Sequence, residues 1–276
     1  MNIIETYTKD EIYLSGLEYR SNNGEECYLF IPGLGGNYLD NRFICEIANT
    51  IYMNNMNIVI ANTRGSFNLN YSHPNSKNGY PKEIGLFTEM FDDCIYDIDA
   101  WIEKLKELGY NKITLIGHSV GNNKIIYYYN QIKNNKISDI IMISPSDYAY
   151  RMKHKPEYNE ILNKALENCK NSKEKELLHF DFYYKYSYSM ADFLTNNNLD
   201  NFPILSKNLK RMTAFNRIDV PISIIYGSEE KKYTSNIDFI YANSNKNCCI
   251  DLIEGANHSF NGYEKELSKK ILKTRG

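Results

Sequence analysis

The chain has 276 residues, 42% of them hydrophobic and 24% charged, and a formal net charge of −2 at pH 7. That composition is ordinary for a globular protein, and the length fits one large domain or one domain carrying an insertion, because single cores stop growing near this size. With no excess of cations to hold a phosphate backbone, nucleic acid is not an expected partner, and no run approaches the roughly 18 apolar residues of a membrane span.

Along the chain, short apolar runs alternate with helical patterns, the sequence form of βαβ units. The start, Met1-Asn2-Ile3-Ile4-Glu5, lacks a basic stretch followed by an apolar run, so no signal peptide is expected. Cys27 to Ile31 reads as a buried strand ending at Pro32-Gly33. Phe43, Ile44, Ile47, Ala48 and Ile51 then recur at helical spacing, and Asn57 to Ala61 is the next strand. Phe91 to Leu108 forms an amphipathic helix with Ile95, Ile98, Trp101, Ile102 and Leu105 on one side, stopped by Gly109. Lys112 to Ile116 is a strand running into Gly117, and Ile140 to Ile143 is another. From Tyr148 to Arg217 the rhythm breaks: the segment is charged, rich in Tyr and Phe, helical in pattern and without a strong strand. It reads as a helical cap (148–217) inserted in a core made of residues 1–147 and 218–276. Ile222 to Tyr226 and Cys248 to Ile253 complete the strands, and Tyr263 to Leu272 is the last helix.

Gly117-His118-Ser119-Val120-Gly121 is G-x-S-x-G between a strand and a helix. A sharp turn there exposes the serine Oγ, and the amide after it opens a helix, where it can face a developing oxyanion. A serine hydroxyl needs an adjacent base. Gly255-Ala256-Asn257-His258 lies after the final strand, and although a lone loop histidine is ordinarily a surface residue, that position marks His258 as the base. His73, His154 and His179 lie in loop or cap, and His118 is inside the turn. The acid is sought past a strand between the two: Ser228-Glu229-Glu230 follows Ile222 to Gly227. Glu230 is preferred over Glu229, and Asp147 is a third candidate whose alternative role is to cap the first helix of the cap.

The loop Pro32-Gly33-Leu34-Gly35-Gly36-Asn37 suits a second oxyanion donor, assigned to the Leu34 amide alongside that of Val120. A glycine loop after a strand also raises a dinucleotide site, but Tyr38 occupies the third glycine position of G-x-G-x-x-G, and Asn62 and Arg64 stand where a ribose-binding acid is sought. No cofactor is therefore expected. Six scattered cysteines, without CxxC or Cys/His spacing, predict free thiols, no metal and a cytoplasmic location.

The order Ser119, Glu230, His258, with Gly-Leu-Gly-Gly, Gly-His-Ser-Val-Gly, Tyr-Gly-Ser-Glu-Glu and Gly-Ala-Asn-His-Ser-Phe, resembles the α/β-hydrolase superfamily from about Cys27 to Leu272. Gly117-His118-Ser119 and Ser144-Pro145-Ser146-Asp147 are similar to the branch of fungal siderophore esterases and bacterial relatives, which implies ester or amide hydrolysis on a sizeable substrate. A siderophore itself is not carried over. Two departures bear on the site: Pro32 replaces the histidine that generally orders the oxyanion loop, and the acid is Glu instead of the commoner Asp. The expected fold is α/β, a mainly parallel sheet flanked by helices. The expected activity is serine hydrolysis of a small-molecule carboxylic ester, thioester or amide. An acyltransferase or cyclase using the same residues, and a non-catalytic binding protein on the same fold, are the rival readings.

Overall fold

The structure is a computed structural model that describes residues 1–22, 24–39, 42–76, 79–132, 134–244 and 248–274. In chain order the first half contains β1 (Asn2–Tyr7), β2 (Tyr13–Tyr19), β3 (Glu26–Ile31), α1 (Arg42–Met53), β4 (Asn57–Ala61), the short pair β5 (Asn70–Ser72) and β6 (Lys82–Ile84), α2 (Cys94–Glu107), β7 (Lys112–His118), α3 (Val120–Gln131) and β8 (Ile137–Ile143). The second half contains α4 (Tyr148–Lys153), α5 (Tyr158–Lys170), β9 (Leu177–Phe180), β10 (Tyr183–Tyr186), α6 (Ser187–Thr195), α7 (Leu209–Asn216), β11 (Ile222–Gly227), α8 (Lys231–Thr234), α9 (Ile237–Asn243), β12 (Cys248–Ile253) and α10 (Glu264–Lys273).

The main sheet runs β1-β2-β4-β3-β7-β8-β11-β12, antiparallel from β1 to β4 and parallel from β4 onward. Its central strands β3, β4 and β7 are mostly apolar because both faces are covered. Period-two alternation divides them between two cores: Leu29, Ile31, Val59 and Leu115 pack with Trp101 and Ile102 of α2 and Ile125 of α3. Tyr28, Phe30, Ile58 and Ile60 face the other way, onto Phe43 and Ile47 of α1 and Leu267 of α10. The helix expected at Phe91 to Leu108 begins as a 3-10 turn over Phe91–Asp93 and is α-helical over Cys94–Glu107, with Gly109 beyond it at φ 92°. β8 starts at Ile137, three residues before the expected Ile140.

Two features depart from the sequence expectation. The β1–β2 hairpin was not foreseen, because Glu5-Thr6 and Ser15-Gly16 break up its apolar residues and no continuous apolar run marks it. Residues 148–217, expected to hold no strong strand, contain the short β9–β10 hairpin as well as α4 to α7. Leu178 and Phe180 are buried while Leu177 and His179 are exposed, a two-residue period over only four positions, too short to be told from a helical turn by pattern. Asp181, at φ 56°, turns the chain between the strands. The segment connects β8 to β11 and has its own apolar cluster, in which Tyr148, Met152, Phe180, Met190 and Phe193 pack against Val120. No helix among the described residues is long and apolar enough to cross a membrane.

Candidate active site

Ser119 links β7 to α3 with φ 55° and ψ −124°, a left-handed conformation that a non-glycine residue adopts only where the surroundings impose it. Three contacts impose it here. The Ser119 amide donates to Ile143 O of β8 at 3.0 Å, and Asn122 Nδ2 donates to both Ser119 O (2.9 Å) and Ile143 O (2.8 Å). The turn also depends on Gly121, since a Cβ there would lie 2.4 Å from Ile31 O and 2.7 Å from Pro32 O. Only glycine lets the start of α3 approach the end of β3 so closely.

Ser119 Oγ lies 3.0 Å from His258 Nε2, and His258 Nδ1 lies 2.7 Å from Glu230 Oε2. Glu230 follows β11 and is 4% exposed; its other oxygen accepts from Ser144 Oγ at 2.5 Å and from the Gly227 amide at 3.0 Å. A carboxylate held by two donors leaves one oxygen for the histidine, so Nδ1 carries the proton and Nε2 is free to accept from the serine. The His258 loop reaches this position because Gly227 has no side chain: a Cβ would sit 2.2 Å from Ala256 O.

The other acids lie elsewhere. Glu229 is 53% exposed and its nearest cation is Lys231 at 3.9 Å. Asp147 does not cap α4 through its side chain, contrary to the role preferred for it from sequence. Its carboxylate instead accepts from the amides of Leu205 and Ser206, each at 2.9 Å, and pairs with Arg211 Nη2 at 2.5 Å, tying the entrance of the 148–217 segment to its exit. Among the remaining histidines, His154 stacks on Tyr150 and His179 on Tyr184, while His73 lines a separate cavity. His118 donates from Nε2 to His258 O at 3.0 Å; burial, reinforced by charge on His258, lowers its pKa to about 3 and keeps it neutral.

Gly33 lies directly against the serine, a Cβ there meeting Ser119 Cβ at 3.1 Å, and Leu34 lines the same cleft. Val120 is the first residue of α3, where backbone amides have no intrahelical acceptor. Pro32 cannot order this loop by a side-chain hydrogen bond. Ser66 does so from the loop after β4: its Oγ donates to Gly36 O at 2.8 Å, and Gly35 and Ser66 form a parallel bridge. The Tyr38 amide adds a bond to Asn62 Oδ1 at 3.2 Å.

Four residues at the site were not singled out from sequence. Ser144 and Asn122 hold the acid and the turn. Tyr148 OH lies 3.0 Å from Ser119 Oγ and 3.3 Å from Tyr183 OH, and Arg151 Nη2 lies 3.3 Å from Tyr183 OH. These come from the 148–217 segment, and a sequence offers no local mark of which of its many tyrosines will meet the serine. Ser119 and His258 open on a cleft of about 230 Å³, walled on one side by Gly33 and Leu34 and on the other by Tyr148, Arg151, Phe182 and Tyr183. Of the aromatic residues between positions 180 and 193, Phe180 and Phe193 are buried in the segment's own cluster, whereas Phe182 and Tyr183 face this cleft. A cavity of about 280 Å³ near Tyr13, Asn62 and Phe67 is larger but lacks a paired nucleophile and base; chemistry, not size, marks the site.

The profile of the PGAP1-like alpha/beta domain matches residues 23–218, well over half of the chain. The chain belongs to that family. As a PGAP1-like alpha/beta domain, its matched region contains the glycine loop after β3, the Ser119 turn and the 148–217 segment, and stops short of Glu230 and His258. No curated protein is similar enough to the chain to count as a match. Solved structures share its architecture over nearly its whole length. Est1E from Butyrivibrio proteoclasticus with ferulic acid bound is 16% identical, with a TM-score of 0.70 over 98% of this chain and 97% of that one. GrgF from Penicillium sp. sh18, an alpha/beta hydrolase, is 13% identical with a TM-score of 0.70 over 98% and 96%. The Pyrococcus furiosus esterase Pf2001 is 16% identical with a TM-score of 0.64 over 99% and 88%. The PGAP1-like chain is thus an α/β hydrolase by fold.

Proposed function

We propose that the protein is a serine hydrolase of carboxylic esters, with Ser119 as nucleophile, His258 as general base and Glu230 as its orienter. One observation carries the reading: an unbroken hydrogen-bonded line from Ser119 Oγ through the imidazole to a buried glutamate, opening on a cleft. As Ser119 Oγ bonds to the substrate carbonyl carbon, its proton passes to His258 Nε2 and the carbonyl oxygen becomes an oxyanion facing the Leu34 and Val120 amides. Collapse breaks the bond to the alcohol, which leaves with the proton from His258. Water, deprotonated by the same nitrogen, then releases the acid from the acyl-enzyme. Thioesters and amides are open to the same attack. The Tyr148 hydroxyl, at 3.0 Å from Ser119 Oγ, is a further donor to charge developing there. No step calls for a cofactor.

In this reading residues 148–217 act as a cap: α4 and the β9–β10 hairpin supply one wall of the cleft and thereby select the substrate. That Est1E holds ferulic acid supports a carboxylic acid as product on this fold. The test is labelling by a fluorophosphonate probe together with turnover of p-nitrophenyl butyrate. Ser119→Ala should lose both, turnover falling by roughly 10⁴-fold or more, as when triad nucleophiles are deleted. Labelling of the variant at the wild-type rate would rule the assignment out.

A further inference from the structure

Three arginine side chains among the described residues are no more than 16% exposed: Arg64, Arg151 and Arg211. Two are fully spent. Arg64 lies within 3.0 Å of Asp10, Asp93 and Asp97, and Arg211 pairs with Asp147 and Asp200. Arg151, in the wall of the cleft, is different. Its carboxylate neighbour is Asp181 at 3.7 Å, outside hydrogen-bond range, and Asp181 is already engaged by Lys155 at 2.6 Å. Arg151 Nη2 donates to Tyr183 OH at 3.3 Å, the guanidinium also interacts with the Tyr233 hydroxyl and covers the Tyr148 ring at 4.6 Å, and the buried Nε has no partner.

We infer that Arg151 is a specificity-determining residue that binds an anionic group on the ester substrate. The inference rests on the hydrolase reading above. A guanidinium is charged at any physiological pH and presents a planar fork of donors matched to carboxylate or phosphate oxygens. Burying it with donors unfilled costs free energy unless a ligand fills them. The fork is accessible from the reacting centre, because Arg151 lines the same cleft as Ser119 and His258. It also borders an adjoining depression lined by Phe182, Glu229, Glu230, Tyr233, Asn257 and His258. Glu230 forms no ion pair with it; its oxygens accept from His258, Ser144 and Gly227. Glu229 stands with Lys231. Arg151 and Lys155 share the one carboxylate of Asp181, so a positive charge is left over beside the cleft. Phe182, 79% exposed at the hairpin turn, and Tyr183 offer an apolar lining for the spacer between that anion and the scissile carbonyl.

The experiment measures kcat/KM of the full chain on two matched pairs. Mono-p-nitrophenyl glutarate against p-nitrophenyl butyrate places the anion on the acyl side, and 4-acetoxybenzoate against its methyl ester places it on the alcohol side. In at least one pair, Arg151→Gln should lower the anionic-to-neutral ratio by about 10- to 100-fold, the scale of a charge-assisted hydrogen bond lost, mainly through KM. Arg151→Lys should retain part of the ratio. In wild type the ratio should fall as salt rises from about 0.05 to 0.5 M. The pair that responds identifies which side of the ester carries the anion. Equal losses on both members of both pairs overturn the inference. If Arg151→Gln does not fold, the Lys variant and the salt series decide, and ratios indifferent to both overturn it as well. Neutral-ester turnover that vanishes in Ser119→Ala separates this failure from that of the hydrolase reading. Absence of any Ser119-dependent turnover of the four esters overturns both.

Discussion

Adjacent glutamates of identical chemistry sit in opposite environments after β11, and only one of them reaches His258. Glu230 turns inward to Ser144, Gly227 and His258, while Glu229 turns out beside Lys231. Glu230→Gln should lower kcat on an ester by about 10³- to 10⁴-fold, the range seen when a triad acid becomes an amide that favours the wrong tautomer and cannot stabilise the imidazolium. Glu229→Gln should cost less than about threefold, since an exposed ion pair contributes little. The reverse order in steady-state rates would assign the acid to Glu229. At this scale the pairing of Ser119 with His258 could be anticipated because each sits in a local pattern: glycines around the turn, a strand before it, a loop after the final strand. Ser144, Asn122, Tyr148 and Arg151 were not. Their roles depend on contacts across 21 to 86 residues of sequence, such as Asn122 to Ile143 and Ser144 to Glu230, which no local pattern records.

Among the strands, the central ones were legible because they are buried on both faces, and the half-exposed β12 because it is a mostly apolar run as well. β3, β4 and β7 read as continuous apolar runs since one set of side chains meets α2 and α3 and the other meets α1. The β1–β2 and β9–β10 hairpins are half-exposed and short, and their pairing across a turn is what makes them strands. Asp147 shows the same limit. Its place before a helix invites a capping role, yet its carboxylate reaches 58 and 59 residues ahead to the Leu205 and Ser206 amides. Asp147→Ala would leave the half-buried Leu205 and Ser206 amides without this acceptor and Arg211 with Asp200 as its carboxylate partner. A loss of about 3 to 5 kcal/mol in urea unfolding is expected, the usual cost of breaking a buried pair from one side. Ser119 should still react with a fluorophosphonate under conditions where the variant is folded. A loss below about 1 kcal/mol would show that water accepts from the two amides in place of the carboxylate, well below what such one-sided removal costs.

On the scale of the whole molecule, the 148–217 segment is joined to the sheet by a buried charge cluster as well as by apolar packing. Glu89 accepts from Lys124 of α3 at 2.5 Å, and Gly65 makes room for it, since a Cβ there would meet the carboxylate at 2.2 Å. Lys185 of β10 donates to Leu86 O at 2.7 Å and Glu89 O at 3.0 Å, so the hairpin that walls the cleft is anchored on the same loop. Burial lowers the Lys185 pKa to about 8; Glu89 opposes the change and Lys124 reinforces it. Between the folded pKa near 8 and the ordinary value of 10.5, the unfolded chain binds a proton that the folded chain has released, so this group makes the protein more stable as pH rises. Below pH 8 both states hold the proton and the full burial penalty is present. Tyrosines and cysteines with raised pKa values act in the opposite direction, and a variant lacking only the Lys185 amine cancels their contribution. Lys185→Met removes the titration, and the stability of wild type relative to that variant should rise by about 2 kcal/mol between pH 7 and 9.5 in urea unfolding. That figure follows because one proton held by the unfolded chain alone changes stability by about 1.36 kcal/mol for each pH unit above 8. A difference independent of pH would mean that Lys185 keeps its ordinary affinity for protons, with Glu89 offsetting its burial in full.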